Sequence, residues 1–299
     1  MRKIPVGHTI AEAYRFTFVG LERVIGVIWL PVLIITVGRY FVSGPYLSAS
    51  AATLDGDISQ IGPAWVNMFG FGIVSLVLTA VIGVAIAREI LSPLKRPLFL
   101  RFNLGAAELR ATVGFIGLTL LMVLFIFVCV VIAAIVGSLF SSAVPGTPGL
   151  TAAQRALGLG VLIAFCLSPV LIFLFVRLGF LIVPSVTMED GFGIERSWQL
   201  TRGNVWRIII IGLAVTVPLL IVTGLIGVAI LGPEYYQQSA GMLADKAEQA
   251  RQSAEQIRLM SSRLPFLMGL SFIMAPFWYG LTFAAPVFAY RALTGEGQQ

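Results

Sequence analysis

Residues 111–139 read ATVGFIGLTLLMVLFIFVCVVIAAIVGSL, a stretch without one Asp, Glu, Lys, Arg or His. A bilayer hydrocarbon core about 30 Å thick is crossed by about 20 apolar residues in helix. Helix is required there because lipid offers no partner for backbone N–H and C=O groups. This run exceeds the minimum, which predicts a tilted span or one whose end emerges from lipid. Five more segments qualify: roughly Val24–Val42, Phe69–Ala87, Ala156–Val176, Ile208–Leu231 and Phe266–Tyr290. Pro31, Pro169, Pro218, Pro276 and Pro286 fall inside spans, where a neighbouring helix can satisfy the carbonyl that each proline frees. The expected fold is all-α: a polytopic membrane helical bundle of six transmembrane helices, a single integral membrane domain over residues 1–299.

Composition narrows the function. Of 299 residues, 58% are hydrophobic and 11% charged, whereas a soluble domain carries about 25% charged residues. This excludes a soluble enzyme, a disordered chain and a nucleic-acid-binding domain, in spite of a pI of 9.7. His8 is the only histidine, so imidazole metal ligation and Ser-His or Cys-His catalysis lack material. No catalytic residue, metal or cofactor is expected. Cys129 and Cys166 lie in apolar runs and read as small buried hydrophobes. Asp55-Gly56-Asp57 reads as a turn, with contact to a cation as the alternative. Glu12, Arg15, Glu22 and Arg23 interrupt the stretch after Arg2 and Lys3, so the start does not read as a cleaved signal.

Lysine and arginine in the connections set orientation. One side carries Arg2, Lys3, Arg15 and Arg23, then Arg88, Lys95, Arg96, Arg101 and Arg110, then Arg196, Arg202 and Arg207, and finally Arg291, thirteen in all. The other side carries five: Arg155, Lys246, Arg251, Arg258 and Arg263. Both termini are therefore expected in the cytoplasm. Tyr40, Trp65, Tyr235 and Tyr236 fall at the outer interface and Trp198 and Trp206 at the inner one, the depth that amphipathic rings prefer.

The spans pair into three hairpins, each begun and ended on the cytoplasmic side. The segments leading in read Ala11-Glu12-Ala13-Tyr14-Arg15-Phe16-Thr17, Ala107-Glu108-Leu109-Arg110 and Glu195-Arg196-Ser197-Trp198-Gln199-Leu200-Thr201. Moving the first by 184 positions sets Tyr14 on Trp198, Thr17 on Thr201 and Arg23 on Arg207, a parallel repeat. Each reads as a cytoplasmic interfacial helix lying in the headgroup plane. In the first, Thr9 and Glu12 fit a capping box, and Ile10, Tyr14, Phe18 and Leu21 form the apolar stripe. In the third, Gly203-Asn204 marks a turn before Trp206 and Arg207.

Arg177-Leu178, Pro184, Val186, Glu189-Asp190-Gly191, Ile194, Ser197-Trp198, Leu200-Thr201-Arg202-Gly203-Asn204 and Trp206-Arg207 resemble the signature of the glycerophosphoryl diester phosphodiesterase membrane-domain family and related stand-alone bacterial inner-membrane proteins. The resemblance implies a helical bundle in a bacterial cytoplasmic membrane. It does not imply phosphodiesterase activity, which in that family belongs to a separate soluble barrel. The six spans here leave no room for one, and the family's membrane part has no catalytic residues to carry over.

Two groups of residues are candidates for binding. Arg177 sits at an inner helix end beside Arg88 and Arg291. There it either snorkels or pairs with Glu189, Glu195 or Glu12, or joins the other two in holding a lipid phosphate. Arg88, Lys95, Arg96, Arg101 and Arg110 either fix topology or hold anionic headgroups, at about 1 kcal/mol per charge. The second group lies in a helix-prone extracytoplasmic insertion over about 234–263, where Leu243, Ala247, Ala250, Ala254, Ile257 and Leu264 share a stripe. That long helix either packs on its own bundle or docks a membrane or periplasmic protein. No Asp or Glu lies within a span, against coupled transport. The expected function is a non-catalytic inner-membrane protein that organises lipid or a partner complex. The alternative is a carrier of a small or lipid-like solute.

Overall fold

The computed structural model describes residues 2–54, 56–92, 105–143, 152–189, 191–232 and 246–295, with side chains at all of these except 136–143, 152–161, 164 and 246–249. Nine helices cover the described residues, and no strand occurs among them: α1 Val6–Val19, α2 Leu21–Leu54, α3 Ile61–Leu91, α4 Ala106–Ala143, α5 Ala152–Gly179, α6 Ile182–Met188, α7 Ile194–Leu200, α8 Val205–Leu231 and α9 Lys246–Thr294. Six of them are long and apolar enough to cross a membrane. The chain is a multi-pass membrane protein by that measure.

The helices outrun the apolar segments that announce them. α2 has 34 residues, about 51 Å at 1.5 Å per residue, and continues past Val42 to Leu54. The extracytoplasmic helix expected as a separate insertion is instead, from Lys246 onward, the first part of α9, a single 49-residue helix that runs on through the sixth span. Its polar start keeps helical propensity after the hydropathy signal has ended, so hydropathy alone misplaces the boundary. The second lead-in also differs from expectation, because α4 runs unbroken from Ala106. Among the described residues, separate lead-in helices occur at α1 and α7, each followed by a break, at Gly20 and at residues 201–204.

α9 is the central element, packed against α1, α2, α3 and α8, while α2 packs on α3 and α4 on α5. Small residues set the closest approaches. Gly83 of α3 faces Phe283 of α9, where a Cβ would lie 2.8 Å from the ring. Ala80, Val84 and Ala87 beside it are fully buried. The Gly83–Ala87 spacing therefore serves a contact within the chain. α1 buries Thr9, Ala13 and Thr17 rather than the Ile10-Tyr14-Phe18 stripe, and Thr17 meets Gly280 of α9. Thr9 is not a cap. The helix starts at Val6, and the Thr9 hydroxyl donates back to the Pro5 carbonyl at 3.0 Å. Cys129 is buried, but Cys166 is exposed on the outer face of α5, contrary to its reading as a core residue.

Two prolines within spans show how the carbonyls they free are satisfied. Pro218 of α8 has no N–H to give Ala214, and the Tyr14 hydroxyl of α1 donates to that carbonyl at 2.9 Å. Pro169 of α5 frees Phe165, whose carbonyl accepts the Ser168 hydroxyl at 2.8 Å.

Candidate functional site

The polar chemistry gathers at one end of the bundle, where α3, α5 and α9 finish and α4 and α8 begin. Arg88, in the last turn of α3, makes a two-pronged bond to Glu108 in the first turn of α4, at 2.5 and 3.3 Å. The Gly105 N–H donates to the same carboxylate at 3.1 Å. Glu108 is only 2% exposed, and the exposed N–H groups at the start of a helix favour an anion there. The bond ties α3 to α4.

Glu189, just past α6, is a second junction. One carboxylate oxygen accepts the Arg196 Nε of α7 at 2.8 Å and the Tyr290 hydroxyl of α9 at 2.8 Å. Its backbone carbonyl accepts Arg110 of α4 at 3.1 Å. Four elements thus meet on one residue. The Tyr290 ring is buried beneath them.

Arg177 pairs with none of Glu189, Glu195 and Glu12. Its guanidinium lies 3.6 Å from the centroid of the Trp198 ring and 5.7 Å from that of Phe173, and it donates to the Trp198 carbonyl at 2.8 Å. A cation over indole is held by the ring quadrupole. Ser197 mends the break beside it. Its hydroxyl donates to the Arg177 carbonyl at 3.0 Å and accepts the Leu181 N–H at 3.3 Å. Both are groups that the broken helix leaves unsatisfied.

The Gly203-Asn204 turn has a purpose that its sequence does not reveal. Asn204, 2% exposed, accepts the Ile4 N–H through Oδ1 at 3.1 Å and donates Nδ2 to the Arg2 carbonyl at 3.1 Å. Arg207 donates to the Ile4 carbonyl at 2.7 Å. The N-terminal segment is thereby clamped across the start of α8, with Ile4 fully buried. Beside it opens a cleft of about 680 Å³ lined by Arg2, Lys3, His8, Glu12, Phe288 and Arg291, among others.

The candidate residues at this end are therefore engaged separately. Arg88 is ion-paired, Arg177 is stacked on Trp198, and Arg291 lines the cleft with Arg2 and Lys3. Lys95, Arg96, Arg101 and Leu243 lie outside the described residues, as do Asp55, Tyr235 and Tyr236. Ala247 lies in α9, with its side chain outside them. Ala250 and Ala254 are exposed and Ile257 half-buried, so this part of the stripe is not a sealed core. Asp57 accepts the Ser59 N–H at 2.9 Å, the turn expected of it. Hydrogen bonds from the Ser59 side chain and backbone lower its carboxyl below the ordinary range. Among the described residues, no cluster of His, Cys, Asp and Glu could hold a metal. Sequence reasoning missed Glu108 and Asn204 as buried polar anchors. The only signal was a lone polar residue at the edge of an apolar run. Compared with family models, curated proteins and solved structures, the chain finds no match in any of the three.

Proposed function

We propose that the chain is a non-catalytic inner-membrane protein of bacteria that organises anionic lipid or a partner protein, with its arginine-rich end and both termini in the cytoplasm. The supporting observation is how the polar groups at that end are used. Glu108, Glu189, Ser197, Asn204 and Tyr290 each spend hydrogen bonds on joining one segment to another. Groups engaged in this way stiffen a platform at the headgroup level. The bias of lysine and arginine to this end supports the orientation. The three-hairpin arrangement and the resemblance of residues 177–207 to the glycerophosphoryl diester phosphodiesterase membrane-domain family belong to the same reading.

The test is purification in mild detergent, with bound lipid and co-purifying protein identified by mass spectrometry. Retained anionic lipid or a stoichiometric partner is expected, and a chain that carries neither overturns the proposal. One observation favours the alternative of a carrier for a lipid-like solute. An apolar cavity of about 400 Å³ lies among Thr79, Phe115, Thr119, Phe175 and Phe283. A solute recovered from it, together with movement of that solute across liposomes, would favour transport.

A further inference from the structure

Resting on that reading, we propose that the cleft between the N-terminal segment, α1 and the end of α9 is a binding site for a phosphate group, with Arg2, Lys3 and Arg291 as its cationic contacts. Arg88, Arg110, Arg177, Arg196 and Arg207 at the same end are engaged within the protein. Arg2, Lys3 and Arg291 instead line one open cleft together with His8. Among the described lining residues Glu12 is the one carboxylate, and Arg15 stands 3.8 Å from it. Among the described lining residues, three cations stand against one shared anion, a positive balance.

The backbone that carries Arg2 and Lys3 is not a loose tail. Asn204 holds it through both ends of its amide, Arg207 holds the Ile4 carbonyl, and Ile4 is sealed in the core. Side chains on a fixed backbone lose less freedom when they bind, which raises affinity. On the opposite wall, the Arg2 guanidinium packs against Gly295, where any Cβ would overlap it. The positive φ of 86° at Gly295 also requires glycine. Guanidinium forks match phosphate oxygens in pairs, and an ammonium adds a point charge. Phe288 and Ala292 supply an apolar wall beside these cations. A volume of about 680 Å³ far exceeds a bare phosphate ion, and suits a phosphate that carries a glycerol and the root of an acyl chain.

The experiment uses the full chain in detergent and native mass spectrometry. It is titrated with dioctanoyl phosphatidic acid and dioctanoyl phosphatidylcholine, with inorganic phosphate as competitor. Phosphatidic acid is expected to bind more tightly than phosphatidylcholine. Arg2→Gln and Arg291→Gln should each weaken it about fivefold, while Arg258→Gln at the far end of the bundle leaves it unchanged. Competition by phosphate at equal affinity assigns the site to free phosphate, and weak competition assigns it to lipid. Either outcome upholds the phosphate chemistry. Unchanged phosphatidic acid binding in the Arg2 and Arg291 variants overturns the site but leaves the lipid-organising reading intact. No anionic lipid bound by any form of the protein overturns both.

Discussion

Replacing Tyr14 with Phe isolates one hydrogen bond at a proline break. The ring stacks on Phe18 at 5.8 Å, a contact that Phe preserves, so only the hydroxyl that donates to Ala214 is lost. A buried carbonyl left without a donor costs about 1–3 kcal/mol. Bonds between membrane helices average about 0.6 kcal/mol and reach about 1.7. A loss of about 1 kcal/mol is expected, read by SDS titration of the detergent-solubilised protein followed by circular dichroism. The decisive comparison is the same substitution in a Pro218→Ala background. There, residue 218 regains its N–H and the helix satisfies Ala214 itself, so removing the hydroxyl should cost less than half as much. Burial raises the Tyr14 phenol above its ordinary value of 10.0. Its stabilisation is therefore fully present below pH 10 and is lost as pH rises through the raised value. Equal losses in both backgrounds would refute the assignment of Tyr14 to the carbonyl freed by Pro218.

At the Arg88–Glu108 pair, Arg88→Gln is expected to destabilise more than Glu108→Gln. The carboxylate side chain is 3% exposed and the guanidinium 38%, so only the carboxylate is stranded as a buried charge. The same SDS titration ranks the two, and the reverse order contradicts the reasoning. Gly193, at φ 74°, lies where a Cβ would come within 2.9 Å of both the Val186 side chain and the Ile182 carbonyl. Gly193→Ala should cost at least about 1–3 kcal/mol and lower the melting temperature. Asn204→Ala removes two of the three side-chain bonds that hold residues 2–4 and leaves that of Arg207 to the Ile4 carbonyl. It should speed amide exchange at Ile4 by at least tenfold, measured by hydrogen–deuterium exchange, and unchanged protection would mean that Asn204 does not clamp the segment.

The spans were legible because lipid demands length and apolarity together, and Ala111–Leu139 carries both without interruption. Their ends were less so. Hydropathy stops at Val42 and starts at Phe266, while the helices continue to Leu54 and begin by Lys246, because helix propensity outlasts apolarity in water. Small-residue spacing at Gly83 and Ala87 pointed to close approach, and the structure adds Phe283 as the partner. The break after Gly203 was visible, but its contact with Ile4 joins residues two hundred positions apart, which no local pattern encodes. Arg177 illustrates the same limit. Its charge and position suggested an acid partner among Glu189, Glu195 and Glu12, whereas Trp198, which the sequence placed at the interface for its own sake, stacks on it. The cleft cations were individually visible, but Arg2 and Arg291 are neighbours only because α9 returns to the end where the chain begins.

Six crossings with the arginine-rich end inside are tested most directly by thiol labelling in a Cys129→Ala, Cys166→Ala background. Ser59→Cys, in the α2–α3 connection, should react with a membrane-impermeant maleimide on intact spheroplasts. Ser92→Cys, at the end of α3, should react only after lysis. Labelling of both from the same side would contradict the threading of α3 through the bilayer, and the reversed pattern would turn the arginine-rich end, with its proposed phosphate site, away from the cytoplasm.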